Sequence, residues 1–341
     1  MTPNALEQAL DIAWRRKKTL WTKNGAVRLL NAYASGTPRL VFELYGKHGI
    51  LYDYGTESEN QSGNQSEKES DAQNTVTSWS ESLRATAPRW LDRFGWDSVS
   101  WLDRARAGEA GRSGNHSLAG VPPEEIEIRE ESLSFRLEPR HPRNVGLFLD
   151  TRELRRKLRE QAQGARFLNL FCYTGSLGLA ALAGGAEEVV QVDVSARYLD
   201  WGRENLRRNG LAEDRCRFTK MDSERYLDWA AKKELRFDHI ILDPPVFSRF
   251  DGKVFRFATD YFRLAAKCAA LLSPGGTLHA VTNHAGTRPA GFAEALVQTF
   301  RSTEIAIAAA RRVPLPPDFD LADDAEDLPE GNAMIVQITR D

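Results

Sequence analysis

One stretch, Arg166 to Asp193, limits the folds open to this chain more than any other. It runs Phe167-Leu168-Asn169-Leu170-Phe171-Cys172-Tyr173-Thr174-Gly175-Ser176-Leu177-Gly178 and closes with Val189-Val190-Gln191-Val192-Asp193. An apolar run, a glycine-bearing turn, a small-residue helical segment from Leu177 to Ala183 and a second apolar run ending in an acid read as a parallel βαβ unit. In a doubly wound sheet the turn lies at the carboxyl end of the first strand. The acid closing the second strand then stands where it can accept both hydroxyls of a ribose. Gly175 is free to take positive φ and lets a ligand approach the backbone. The expected ligand is a nucleoside.

What the turn lacks narrows the ligand. A dinucleotide fingerprint, G-x-G-x-x-G, brings a pyrophosphate to the helix N-terminus, but the residue two before Gly175 is Tyr173. S-adenosylmethionine, with a ribose and an adenine but no phosphate, fits better; a turn indifferent to the nucleotide is the bland alternative. Downstream, Ser195 can cap a helix that stops at Asn209-Gly210. A third strand, Arg215 to Lys220, leads to Met221-Asp222-Ser223, placing a second carboxylate near the adenine amino group. A fourth, Phe237 to Leu242, runs into Asp243-Pro244-Pro245-Val246-Phe247. Two prolines fix φ and donate no hydrogen bond, so this loop offers acceptors in a stiff frame suited to a flat nucleobase. An ordinary proline-rich turn is the competing reading.

Asn169 to Ser176, Glu204 to Leu211 and Asp243 to Ser248 together resemble class I methyltransferases of bacterial large-subunit ribosomal RNA, the family that contains the cytosine-5 methyltransferase and the guanine-7 module. Gly146-Leu147-Phe148-Leu149-Asp150-Thr151-Arg152 is similar to the G-x-F-x-D-x-R element preceding the first strand there. The likeness covers residues 123 to 290. It implies an α/β fold, a seven-stranded Rossmann-like methyltransferase domain over 123–341, preceded by a small α+β domain over 1–122. It also implies S-adenosylmethionine as cofactor and ribosomal RNA as partner. The cofactor set is then Arg152, Asn169, Phe171, Tyr173, Thr174, Gly175, Ser176, Asp193, Val194, Asp222, Ser223, Asp243 and Pro244. Asp243, Phe247 and Asn283 face the substrate base.

With 341 residues, 41% of them hydrophobic, and a net charge of −2, the chain can bury the cores of about two domains. Its charge does not advertise RNA binding. It has no apolar run near 18 residues and no apolar core at its start, so a membrane span is not expected and a cytoplasmic location is. Cys172, Cys216 and Cys268 lack metal-ligand spacing, so neither disulfide nor metal is expected.

In the first domain, Leu6, Leu10 and Trp14 make an apolar stripe ending in Arg15-Arg16-Lys17-Lys18, a candidate RNA contact or a complement to the helix dipole. Strand-like runs follow at Val27 to Asn31, Arg39 to Leu44 and His48 to Tyr54. Glu57 to Ser78 is polar enough to read as a mobile insertion, Trp79 to Phe94 as a helix interrupted at Pro88, and Ala107 to Gly120 as a polar loop. Six of the eight tryptophans precede residue 102; core packing is the stronger expectation, base stacking the weaker. Glu125 to Leu137 reads as a hairpin. Asp150 can cap a helix carrying Arg152, Arg155, Arg156, Lys157 and Arg159, which suits phosphate contact or a solvated face. Ser248 to Lys253 reads as a loop able to close over substrate, and Pro314 to Glu330 as a long loop for partner contact, or disorder.

A missing residue bears on mechanism. Methylation at carbon 5 of a pyrimidine needs a thiolate to add at carbon 6. The places where the family holds it carry Val246 and Thr282-Asn283-His284. Nitrogen 7 of guanine needs only alignment with the methyl donor and exclusion of water, and an exocyclic amine would suit the acceptors at Asp243 and Pro244. A purine in RNA is the expected target. The rivals are a small-molecule or protein methyltransferase, favoured if the basic helix packs on the first domain, and a cofactor-binding scaffold without turnover.

Overall fold

The computed structural model describes residues 2–37, 39–55, 65–104, 114–250, 253–284, 288–320 and 332–341. Helix α1 (Pro3–Lys17), capped by Thr2, buries Leu6, Leu10 and Ala13 along one stripe. The stripe packs on a five-stranded sheet of β1 (Ala26–Asn31), β2 (Leu40–Tyr45), β3 (His48–Asp53), β4 (Ser98–Asp103) and β5 (Asn115–Gly120), in that spatial order. Only β3 and β4 pair in parallel, which requires a crossover, and helix α2 (Gln65–Phe94) supplies it. Every residue of β2 is buried because successive side chains face two different cores. Leu40, Phe42 and Leu44 pack with Leu6, Trp90 and Trp96; Val41 and Tyr45 pack with Phe135, Leu147 and Leu149, which follow the five-stranded sheet in the chain.

Two expectations for this region are corrected. The stretch expected to be a mobile insertion is helical from Gln65, and α2 runs through Pro88. Its last turns bury Leu83, Ala87 and Trp90. An anchored end supplies the helix nucleus from which a polar stretch can propagate, so low apolar content there did not prevent helix. The expected polar loop ends as strand β5. Residues 56–64 and 105–113 of these two stretches lie outside the described residues. The tryptophans serve the core: Trp96 stacks on Phe42 at 5.2 Å and meets Trp14 edge-on at 5.9 Å.

A hairpin of β6 (Ile126–Glu130) and β7 (Leu133–Leu137) follows, and then α3 (Arg152–Glu160). The chain continues as β8 (Arg166–Leu170), α4 (Ser176–Ala183), β9 (Glu188–Asp193), α5 (Ala196–Arg208), β10 (Cys216–Lys220), α6 (Ser223–Lys232) and β11 (Phe237–Leu242). A hairpin of β12 (Phe247–Phe250) and β13 (Lys253–Arg256) stands where an open loop was expected. Then come α7 (Phe257–Leu271), β14 (Leu272–Thr282), α8 (Pro289–Ser302), β15 (Ile307–Val313) and β16 (Met334–Arg340). Seven strands form one sheet in the order β10-β9-β8-β11-β14-β16-β15, parallel except that β16 runs against both neighbours. The order reverses between β8 and β11, which opens a crevice at their carboxyl ends. Registers bring those ends level: Leu170 pairs with Val192 and with Leu242, and Asp193 with Lys220.

Beneath the crevice, three strands carry a buried polar chain. A ring nitrogen of His239 donates to the Gln161 carbonyl, so in neutral His239 Nδ1 must accept, from His279 Nε2 at 3.0 Å; His279 Nδ1 in turn accepts from the Gln337 amide at 3.0 Å. Burial lowers the pKa of both rings, His279 well below the ordinary value, because the charged form would lose both water and an acceptor.

The two sheets meet at an ionic junction. Arg28 donates to Glu43 at 2.6 Å, to Asn31 at 3.1 Å and to Asn332 at 3.2 Å, and its guanidinium lies 4.0 Å from the Phe319 ring centroid. Tyr45 donates to the other Glu43 oxygen at 2.6 Å and to Leu147 O at 3.3 Å. Lys17 reaches Asp320 at 2.5 Å and donates to three carbonyls. Buried charges are tolerated when every partner is present. The stretch from Pro314, expected as a substrate loop or disorder, contributes Asp318 and Phe319 to this junction through a short 3-10 turn at Pro317–Phe319; residues 321–331 lie outside the described ones.

Candidate active site

The turn after β8 is held in an unusual backbone. Phe171, Tyr173 and Gly175 have φ of 55, 51 and 79°, and left-handed conformations at two aromatic residues concentrate strain at the crevice. The hydrogen bonds around the turn offset it. The Tyr173 N–H donates to Asp193 Oδ2 at 3.0 Å, Thr174 Oγ1 to Gly146 O at 2.7 Å, and Tyr173 OH to Asn144 O at 3.0 Å. Gly175 and Gly178 are needed for a neighbour the sequence did not suggest. A Cβ at either would lie 2.8 or 2.7 Å from the Gln191 carboxamide, which accepts from Asn169 Nδ2 at 2.8 Å and donates to Gly175 O at 3.1 Å. Asn169 Oδ1 is buried without a partner.

Asp193 closes β9 and takes only backbone donors: the N–H groups of Tyr173, Ser195 (2.8 Å) and Val194. Burial raises its pKa, and those backbone hydrogen bonds only partly oppose the rise. Asp222 caps α6 by accepting from Arg225 N at 3.0 Å, and Ser223 is buried behind it. Asp243 follows β11 with buried Pro244 after it. Its carboxyl is pushed up to about 7, first by desolvation and then by the negative charge of Asp150. Tyr261 ties the bases of two site loops together, donating to Leu242 O at 3.2 Å and Val281 O at 3.0 Å. Asn283 is exposed just past β14, and the next ring, His284, stacks on Phe257 at 4.7 Å. Phe247 opens β12 opposite Arg256; its side chain is outside the described residues.

The crevice thus gathers Phe171, Tyr173, Thr174, Gly175, Ser176, Asp193, Val194, Asp222, Ser223, Asp243 and Pro244 at level strand ends, with Asn169 beneath. Arg152 is placed otherwise: it binds Asp318 at 2.7 Å, Ala26 O at 3.0 Å and Glu130 at 3.5 Å. Its guanidinium serves the junction. Two residues escaped sequence reasoning. Tyr261 gave no signal. Asp150 was read as a helix cap, but α3 begins after Thr151 with no side-chain cap; Asp150 is buried, accepts from the Ala333 backbone, and its pKa is raised to about 6, chiefly by desolvation. The G-x-F-x-D-x-R likeness was the one clue to it.

The acids fit a cationic nucleoside cofactor. Asp193 has acceptor capacity left and no cation beside it among the described residues, which suits a ribose diol, and the mouth carries negative charge from Asp193, Asp222 and Asp243 for a sulfonium. No cluster of metal-ligating side chains occurs among the described residues, and no described helix is long and apolar enough to cross a membrane.

The model of the S-adenosylmethionine-dependent methyltransferase family matches residues 67–331. The chain belongs to this family. It is a methyltransferase with a Rossmann-like class I fold, and S-adenosylmethionine is its cofactor. The ribosomal RNA large subunit methyltransferase K/L of Chromohalobacter salexigens is 40% identical over 185 residues, 53% of this chain and 24% of that protein. YwbD of Bacillus subtilis, provisionally named a ribosomal RNA large subunit methyltransferase, is 34% identical over 212 residues, 62% of this chain and 53% of that one. The methyltransferase thus spans about a quarter of the first relative and about half of the second. SMU.776, a provisionally named methyltransferase complexed with SAH, shares the fold at a TM-score of 0.78 and 22% identity, over 99% of this chain and 82% of that one. A methyltransferase structure from Streptococcus mutans gives 0.76 at the same identity and coverage.

Proposed function

We propose that this methyltransferase modifies a base in RNA, that the RNA is large-subunit ribosomal RNA, and that the atom is nitrogen 7 of a guanine. The observation that carries the chemistry is the state of the thiols. Cys172, Cys216 and Cys268 are all buried, and desolvation raises each pKa, that of Cys216 to about 12. A covalent pyrimidine mechanism needs a thiolate at the base, and no described cysteine meets that need. The names of the relatives support the RNA class.

S-adenosylmethionine supplies an electrophilic methyl group when bound. Asp193 accepts the ribose hydroxyls, Asp222 the adenine amino group, and the left-handed turn at 171–175 packs along the cofactor. Asp243 and the Pro244 carbonyl hold the edge of the target base, and Asn283 assists. The nucleotide must be unpaired or flipped to reach them. Because guanine nitrogen 7 offers a lone pair, no residue need remove a proton before transfer.

A small-molecule or protein methyltransferase is the second reading, since Arg152 of the basic helix does pack on the first domain. Against it, the relatives are named as ribosomal RNA methyltransferases. The deciding experiment is transfer of labelled methyl from S-adenosylmethionine to total RNA of a strain lacking the protein, followed by nucleoside chromatography. A 7-methylguanosine peak is expected, and a triple cysteine-to-alanine variant should retain transfer within about twofold. A 5-methylcytosine peak would overturn the chemistry; unlabelled RNA with cofactor bound would bring the second reading forward.

A further inference from the structure

The arginines expected to meet phosphate are already neutralised. Arg155 binds Glu130 at 2.5 Å, Arg156 binds Glu153 and Glu160 at 2.9 and 2.6 Å, Arg159 pairs with Glu131, and Arg152 with Asp318. At the end of α1, Arg15 holds Asp11 at 2.8 Å, while Arg16 and Lys17 hold Asp320. Positive charge without a carboxylate lies elsewhere, on the approach to the cofactor turn.

Phe148 is 39% exposed although it sits in an otherwise buried run from Val145 to Thr151. Its ring centroid is 5.5 Å from that of Tyr173, which meets Tyr198 edge-on at 4.5 Å. The backbone under this ledge is pinned: Thr151 Oγ1 and Arg155 Nη1 each donate to Phe148 O at 3.0 Å. Arg143 and Arg197 both bear electrostatically on Tyr198. Arg197 is matched by Glu138 at 2.6 Å, whereas exposed Arg143 has no side-chain partner among the described residues. Arg104 bonds Asn144 Oδ1 at 2.6 Å, and Asn144 O accepts from Tyr173. The Arg104 guanidinium has no carboxylate among the described residues, and its Nε is buried with no acceptor.

We propose that this ledge of Phe148, Tyr173 and Tyr198, flanked by Arg104 and Arg143, docks a single-stranded RNA segment beside the target nucleotide. The inference rests on the RNA reading above. The exposed Phe148 ring, backed by half-buried Tyr173 and Tyr198, is the kind of rigid aromatic face on which an unpaired base stacks, and neighbouring guanidinia hold the phosphates beside it. Charge decides the occupant. The crevice is acidic and repels phosphate, while the ledge is flanked by exposed Arg143 and by half-buried Arg104, which lies over the Tyr52 ring at 5.3 Å, neither with a carboxylate among the described residues, so the backbone is seated outside and only a base is presented to Asp243.

The test compares wild type, Phe148→Ala and Arg143→Ala, both changes being at exposed positions. Binding of a short fluorescein-labelled, mixed-sequence single-stranded RNA is followed by anisotropy over a salt series, and S-adenosylmethionine binding by calorimetry. Phe148→Ala should weaken RNA about tenfold, the scale of one stacked base, with cofactor affinity within about twofold. Arg143→Ala should lower the slope of log affinity against log salt by about 0.7, one phosphate contact on a single strand. If wild type binds RNA and both variants match it, the ledge is wrong and the RNA reading stands. A cofactor affinity lost in Phe148→Ala would assign the ring to the cofactor pocket and overturn the proposal. If wild type neither binds nor methylates RNA, the RNA reading fails and the ledge with it.

Discussion

The junction between the two sheets and the carboxyl end of the large sheet both hold acids at least partly out of water, but they treat them in opposite ways. At the junction, Glu43 has Arg28 and Tyr45, Asp318 has Arg28 N–H and Arg152, and Asp320 has Lys17 and Arg16. In the crevice, Asp193 and Asp222 accept from backbone N–H groups alone among the described residues, and the carboxyl of Asp243 is raised by desolvation and by the negative charge of Asp150. Paired charges fix how two bodies sit together. Underpaired ones raise the energy of the empty site and leave acceptors for a ligand to satisfy. The same residue type is structural in one place and functional in the other, and its partners tell which.

Breaking the junction should cost the most stability. Glu43→Ala leaves Arg28 buried without its carboxylate, and the expected loss is roughly 3–5 kcal/mol in urea unfolding, with any cofactor affinity measured on the folded fraction unchanged. A loss below 1 kcal/mol would show that the junction is not set by charge. In the crevice, Asp243→Asn should spare the fold and lower methyl transfer by roughly a hundredfold, the scale of a lost preorganised charged acceptor. Since burial pushes the Asp243 carboxyl up to about 7 and it acts as a carboxylate, kcat/KM in wild type should climb as pH rises through about 7. That limb should vanish in the Asn variant.

A smaller effect separates the buried histidine chain from both acid groups. His239 and His279 have pKa values lowered in the folded state, so the unfolded chain binds more protons once pH drops below its ordinary histidine value of about 6.5. Stability is full above that value and falls as pH drops below it, by up to about 1.4 kcal/mol per pH unit for each histidine. Part of that slope between pH 6.5 and 5 should be missing in a His239→Phe, His279→Leu variant. An identical slope would mean the rings accept protons without cost.

How much of this was legible in the sequence follows from range. Asp193, Asp222 and Asp243 stand at the ends of strands that apolar runs and turn residues mark locally, so topology alone brings them together. The five-stranded sheet was harder. Its β3–β4 crossover helix begins in a polar stretch whose order comes from Leu83, Ala87 and Trp90 far along the same helix. The pairing of Arg28 with Glu43, or of Arg152 with Asp318, spans 15 and 166 residues, and nothing local in either sequence announces it. For that reason Arg152 was assigned to the cofactor and Asp150 to a helix cap. Gly175 was read as free to take positive φ, and its φ is 79°; the neighbour its missing Cβ makes room for is Gln191.

The most direct test of the account is calorimetric titration of S-adenosylmethionine into wild type and Asp193→Ala. Loss of a carboxylate that accepts the ribose hydroxyls should weaken binding roughly 30- to 100-fold, the scale of one or two charged hydrogen bonds. Equal affinities in the two proteins would contradict the assignment of the crevice acids to the cofactor.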